Sequence, residues 1–199
     1  MSILLMPEDA PRALTKTLEA LIAQKGLALI ALDGMAASGK TTLASALYAA
    51  IPGCCVVHMD DFFLPQQKRT REHYARTLAW ADVQRVRDEI LAPLSLGEDA
   101  VYRPYVHHPE PRFLDPVRIP KDVRAVIVEG AYSLNPALYA FYDLRLLMTV
   151  SAQTQQSRIR ARNGEALLAK FVSEWIPMEN RHIDANALTT RVDAIIRVP

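Results

Sequence analysis

Eight consecutive residues, Gly34-Met35-Ala36-Ala37-Ser38-Gly39-Lys40-Thr41, have the types and spacing G-x-x-x-x-G-K-[ST], the pattern of a backbone loop that wraps phosphate. Glycines let successive N–H groups curl around phosphate oxygens. A helix beginning at the end of the loop adds unpaired donors and a positive dipole end. Lys40 is then placed to reach the β and γ phosphates, and Thr41 to offer its hydroxyl to Mg²⁺. The expected nucleotide-binding residues are Gly34, Ala36, Ala37, Ser38, Gly39, Lys40, Thr41 and Thr42, with ATP and Mg²⁺ as cofactors.

Three further groups carry charge suited to moving a phosphoryl group. His58-Met59-Asp60-Asp61-Phe62-Phe63 follows an apolar run, which puts two carboxylates at the carboxyl end of a buried strand, the edge where open parallel sheets bind ligands. Asp60 is the expected base that takes the proton of an attacking hydroxyl. Asp61 is a metal or turn-capping residue, and Phe62 and Phe63 are core residues unless one, with Phe62 the choice, walls the acceptor pocket. Glu129 closes the run Ala125-Val126-Ile127-Val128 and is the expected metal-orienting acid beside Thr41. Arg158 and Arg162 stand four apart on one helical face, a spacing for clamping a polyphosphate, with Arg160 pointing elsewhere.

These residues need a scaffold, and the hydrophobic periodicity supplies one of alternating helices and short buried strands, the mark of a parallel α/β sheet. Helices are predicted over 10–24, 40–50, 77–91 and after 150, with Pro93 stopping the third and Pro177 kinking or dividing the stretch 166–186. Strands are predicted over 27–32, 54–58, 123–128, 144–150 and 192–196. Five prolines between 103 and 120 make that segment a long loop or irregular hairpin, of the kind that often carries function.

Composition narrows the classes. The 199 residues form one domain, and 23 Lys plus Arg against 22 Asp plus Glu leave no field to draw nucleic acid or an anionic membrane. No apolar run reaches the roughly 20 residues of a membrane span. Cys54 and Cys55 are adjacent, unsuited to a disulfide framework or a zinc site. A cytoplasmic chain is expected, acting on a small molecule and ATP, with self-association into a homo-oligomer left open. The base-reading string Asn-Lys-x-Asp and the turn Asp-x-x-Gly of guanine switches do not occur.

The segments 33–42, 58–63, 102–105, 126–130, 157–162, 175–179 and 192–196 together resemble the uridine kinase and phosphoribulokinase branch of P-loop kinases, over about residues 27–196. The resemblance implies a three-layer P-loop NTPase sandwich with a five-stranded, mainly parallel sheet and helices on both faces. It implies Asp60 as catalytic base, Lys40, Arg158 and Arg162 as catalytic cations, and Thr41, Asp61 and Glu129 around Mg²⁺. Tyr105 would pack on a nucleoside, with His107, His108 and Arg112 contacting base or ribose. Residues 103–120 would face the acceptor and 157–170 form a lid, shortened at Arg162-Asn163-Gly164-Glu165. Uridine or cytidine is the favoured acceptor. Pantothenate, a sugar acid, a sugar phosphate or nicotinamide riboside are alternatives, and the few arginines of the acceptor segment favour a neutral one.

Overall fold

The computed structural model describes residues 2–107 and 109–199; His108 lies outside the described residues. The strands are β1 (Ile3–Leu5), β2 (Ala28–Gly34), β3 (Cys54–His58), β4 (Ala100–Tyr102), β5 (Tyr105–Val106), β6 (Arg112–Phe113), β7 (Val117–Ile119), β8 (Ala125–Glu129), β9 (Leu144–Val150) and β10 (Ala194–Val198). The helices are α1 (Ala10–Lys25), α2 (Lys40–Ala50), α3 (Arg71–Thr77), α4 (Val83–Val86), α5 (Ala92–Ser95), α6 (Ala152–Lys170), α7 (Ile176–Ala185) and α8 (Leu188–Arg191).

Six strands build the main sheet in the order β1-β10-β9-β2-β8-β3, with every pair parallel. The expected count of five is corrected by β1, whose Ile3 and Leu4 are 64% and 53% exposed. A strand held mainly by its backbone pairing to β10 leaves no apolar burial pattern to read. The central β2 is buried along its whole length, as a strand covered on both faces must be. Its side chains alternate: Ala28, Ile30 and Leu32 join α1 and α2 through Leu14, Leu18, Leu43 and Leu47. Leu29 and Ala31 join the opposite layer with Val86, Ile90 and Leu91.

The helix expected over 77–91 is corrected. The chain forms α3, breaks at Leu78 in a left-handed conformation (φ 51°), and restarts at Val83 with the Asp82 side chain accepting from Arg85 N–H. Pro93 stops nothing. It sits in the first turn of α5, directly after a π-helical turn at Arg87–Leu91, whose wider winding accommodates a residue without an N–H. The same device recurs at Phe171–Trp175 before Pro177 in α7. The segment 103–120 is an irregular antiparallel hairpin, β4 pairing with β7 and β5 with β6.

The strand β2 ends on Gly34, at φ 144°, where a Cβ would stand 2.1 Å from the Met148 carbonyl oxygen of β9. Only glycine fits this approach. G34A should cost about 3 kcal/mol or more of unfolding free energy, measured by urea denaturation; a wild-type midpoint would contradict the reading.

Candidate active site

The loop between β2 and α2 curls with Ala37 at φ 56° and Gly39 at φ 102°. Helix α2 then begins with no side chain capping its first turn, so its N-terminal N–H groups face the loop cavity unpartnered by side chains. The Lys40 ammonium lies back over the loop, donating to the Gly34 and Met35 carbonyls at 2.9 Å each. Ser38 Oγ is buried with no hydrogen-bond partner among the described residues, a polar atom left over for an anion.

Beside the loop, the Thr41 hydroxyl donates to Glu129 Oε1 at 3.1 Å, and His58 Nδ1 lies 2.6 Å from the same oxygen. The hydrogen bond to Glu129 raises the His58 pKa, and desolvation opposes it. Burial raises the Asp60 carboxyl, Glu129 adds to the rise, and Lys40, His58 and Arg162 oppose it. Asp60, Lys40, Arg162 and Glu129 therefore share one electrostatic neighbourhood. Asp61 is raised by burial and hydrogen-bonds the Tyr102 phenol. The hydroxyl of Thr41 and the carboxylate of Glu129 are hard oxygen donors of the type Mg²⁺ takes, and with Lys40 and the first turn of α2 they fit a polyphosphate and its metal ion.

The arginines divide as their spacing requires. Arg158 donates to the Ala37 and Ser38 carbonyls at 3.0 and 3.5 Å, Arg162 bonds Asn163 within reach of Asp60's charge, and Arg160 pairs outward with Glu165.

On the acceptor side, Phe62 corrects the expectation. It is fully buried, stacked on Tyr102 at 5.2 Å with the Arg85 guanidinium over its ring, because the 3₁₀ turn Met59–Phe62 points it into the core. Phe63 is the ring that meets His107, at 6.4 Å. Tyr105 packs edge-on to His107 at 4.8 Å and to Phe113 at 5.0 Å. Arg112 is exposed and donates to the Glu110 carbonyl; Arg118 pairs with Asp99, and Arg103 donates to the Leu114 carbonyl. A cavity of about 920 Å³ lined by Leu64, Thr70, Asp82 and Asn135 includes neither Lys40 nor Asp60.

Sequence reasoning gave no role to five residues, Asp33, His182, Asn186, Glu179 and Arg69, although Asp33 and Glu179 lie in segments that carry the family resemblance. Asp33, 1% exposed, accepts from the N–H groups of Gly34, Leu134 and Tyr132 at 2.6, 2.8 and 3.3 Å and from His182 Nε2 at 3.0 Å. The Asn186 amide donates to His182 Nδ1 at 3.1 Å, which puts the ring proton on Nε2, facing Asp33. Glu179 Oε2 accepts from Ala36 N–H at 2.7 Å. Arg69 donates to the Leu64 carbonyl and lies 2.6 Å from His107 Nε2. A carboxylate inside the apolar run of β2 was the one available signal, since a buried charge demands partners.

Burial raises the Glu179 carboxyl to about 7, against the pull of Lys40 and the Ala36 N–H and with help from Asp33 and Asp60. A carboxyl that holds its proton more tightly folded than unfolded favours folding at low pH and loses that contribution as pH rises through its folded pKa. E179Q cannot titrate, so its melting temperature should gain on wild type as pH rises from 4.5 to about 7 and level off above that. Thermal melts across that range measure the gain, and a difference that stays flat would refute the assignment.

No protein-family model matches the chain. Forty residues, 20% of the chain, are 50% identical to nicotinamide riboside kinase 2 of Homo sapiens and of Mus musculus, a match spanning only 17% and 20% of those relatives. Among solved structures, one described as a possible uridine kinase from Bacillus stearothermophilus superposes with a TM-score of 0.71 at 21% identity, covering 95% of this chain and 98% of that one. A candidate fructose transport system kinase from Silicibacter sp. superposes with a TM-score of 0.66 at 22% identity, covering 92% and 98%. Aligned over nearly its full length, the chain has the fold of the uridine kinase-like P-loop kinases.

Proposed function

We propose that this protein is an ATP-dependent kinase transferring the γ-phosphoryl group to a primary hydroxyl of a small molecule, with a nucleoside as acceptor. The observation that carries the reading is the convergence of Asp60, Lys40, Arg162 and the Thr41–Glu129 pair at one end of the sheet. Glu129 and Thr41 would hold Mg²⁺, which would supply positive charge against the phosphates. Lys40 and the first turn of α2 hold the β and γ phosphates of ATP. The acceptor hydroxyl attacks the γ phosphorus as its proton passes to Asp60, the bond from phosphorus to the β–γ bridging oxygen breaks, and ADP leaves with that oxygen. Catalysis is then mostly positioning and charge stabilisation. Residues of α6 act as the lid, Arg158 and Arg162 turning from their present partners to the transferring phosphate.

The rings of Phe63, Tyr105 and His107 offer a surface for a nucleobase, and the engagement of Arg103 and Arg118 with protein partners suits a neutral acceptor over a phosphorylated one. The stretch shared with nicotinamide riboside kinase 2 favours nicotinamide riboside as the second candidate.

A panel of uridine, cytidine, nicotinamide riboside and non-nucleoside alcohols, scored by ADP release with Mg-ATP, decides among these. Signal from a sugar or pantothenate alone would sink the nucleoside assignment and leave the kinase assignment standing. D60N should leave ATP binding near wild type while cutting transfer by about 10²-fold or more, and unchanged turnover would remove Asp60 from the role. Because burial raises the Asp60 pKa from its ordinary value, wild-type kcat/KM should fall with acidification at a higher pH than an exposed aspartate would give.

A further inference from the structure

Ala36, the third residue of the phosphate loop, is gripped at both ends of its backbone by side chains from two helices. Glu179 of α7 accepts from its N–H at 2.7 Å. Gln155 of α6, 4% exposed, donates to its carbonyl at 3.0 Å. The next residue, Ala37, sits at φ 56°, a left-handed conformation that a residue with a Cβ keeps only when its surroundings fix it. Arg158 holds the carbonyl of Ala37 at 3.0 Å. Among the described residues, no hydrogen bond engages the N–H of Ala37 or of Gly39. The curl that frees those donors is thus fixed from outside the loop, on either side of its strained residue.

We propose that Glu179 is a positioning residue of the phosphate loop, fixing through the Ala36 N–H the curled form in which the N–H groups of Ala37 and Gly39 are presented to phosphate. The inference rests on the nucleotide-binding reading of the loop. A carboxylate enclosed beside Lys40 and Asp60 has no packing advantage over an apolar side chain, and its nearest polar partner is the loop backbone. It is not paired with Thr41, whose hydroxyl goes to Glu129. Because it meets the loop and not the acceptor-side rings, its loss should register in nucleotide affinity and not in the acceptor.

The test is calorimetric binding of Mg-ATP to the full chain, with steady-state kinetics on whichever acceptor the panel yields. E179A leaves the Ala36 N–H without an acceptor and should weaken Mg-ATP binding by about tenfold or more, raising KM for ATP while kcat and the acceptor KM stay within about threefold. E179Q keeps an acceptor oxygen and should restore binding to within about threefold of wild type or tighter, since it also removes a negative charge from the vicinity of the phosphates. If E179A melts below the assay temperature, E179M fills the same space without an acceptor and should show the same weakening. Wild-type affinity in E179A or E179M overturns the proposal, as does an E179Q as weak as E179A. A wild-type chain that binds no nucleotide overturns the kinase reading, and this inference with it.

Discussion

The functional end of the sheet is organised around one buried carboxylate. Asp33 is removed from water and collects three backbone N–H groups and the His182 ring. An uncompensated charge at such a site would cost several kcal/mol, so each donor is a geometric requirement. Gly34 supplies the start of the phosphate loop, Tyr132 and Leu134 the turn after β8, and His182 the middle of α7. Satisfying Asp33 therefore sets where the loop leaves β2, where the turn beyond Glu129 runs, and where α7 lies against both. Tyr132 adopts φ 76° while buried and packed edge-on to His182 at 5.1 Å, a conformation that persists because its N–H is committed to Asp33.

Around this anchor the charges are uneven. Lys40 faces Asp60 and Glu179, and Glu129 lies close enough to add to the rise of Asp60. The protons of Asp60 and Glu179 are both held up chiefly by burial. Three acids near one lysine would repel a polyphosphate if all were ionised and open to it. The structure offsets them locally: Glu129 is engaged by Thr41 and His58, and Glu179 by a backbone N–H. Asp60 differs from both in being met by charges at longer range, from Lys40, His58 and Arg162, which suits a carboxylate kept for a substrate hydroxyl.

Legibility in the sequence followed how local each signal was. The phosphate loop is set by short-range rules, a strand, two glycines and a helix start, and α2 and β3 fell on their expected bounds of 40–50 and 54–58. Glu129 was visible because an acid that ends a run of apolar strand residues is costly to bury unless a partner or a ligand meets it. Strand β1 was not, since pairing at an edge through the backbone demands no pattern of side chains. Proline as a stop failed at Pro93, which follows a π turn that periodicity cannot register, whereas the interruption expected near Pro177 is present as the π turn between α6 and α7. Glu179 and His182 act on residues 143 and 149 positions away, and no local spacing encodes such a pairing. Phe62 and Phe63 are adjacent, and only the 3₁₀ turn decides which enters the core.

The composition of the loop itself follows from what packs on it. Positions 36 and 37 are alanines where a free-standing phosphate loop could as well use glycine, and Ala37 bears a left-handed backbone for it. Their methyl groups have a use: Ala36 is 8% exposed and joins Ile159 and Leu168 of α6 in a small apolar cluster, with Ala37, Phe171 and Ile176 against it. Helix α6 can reach the loop there because Gly164, at φ 78° and ψ 172°, breaks its course, so that Gln155, Arg158 and Ile159 lie before the break and Leu168 after it. The same helix that supplies the expected clamp thus buries the loop's methyls and bonds its carbonyls. Any movement of α6 away from the loop would expose this cluster and release the carbonyls of Ala36 and Ala37 together, leaving the Ala36 N–H to Glu179 of α7, so the shape of the phosphate cradle is tied to the position of α6 as well as to that of α7.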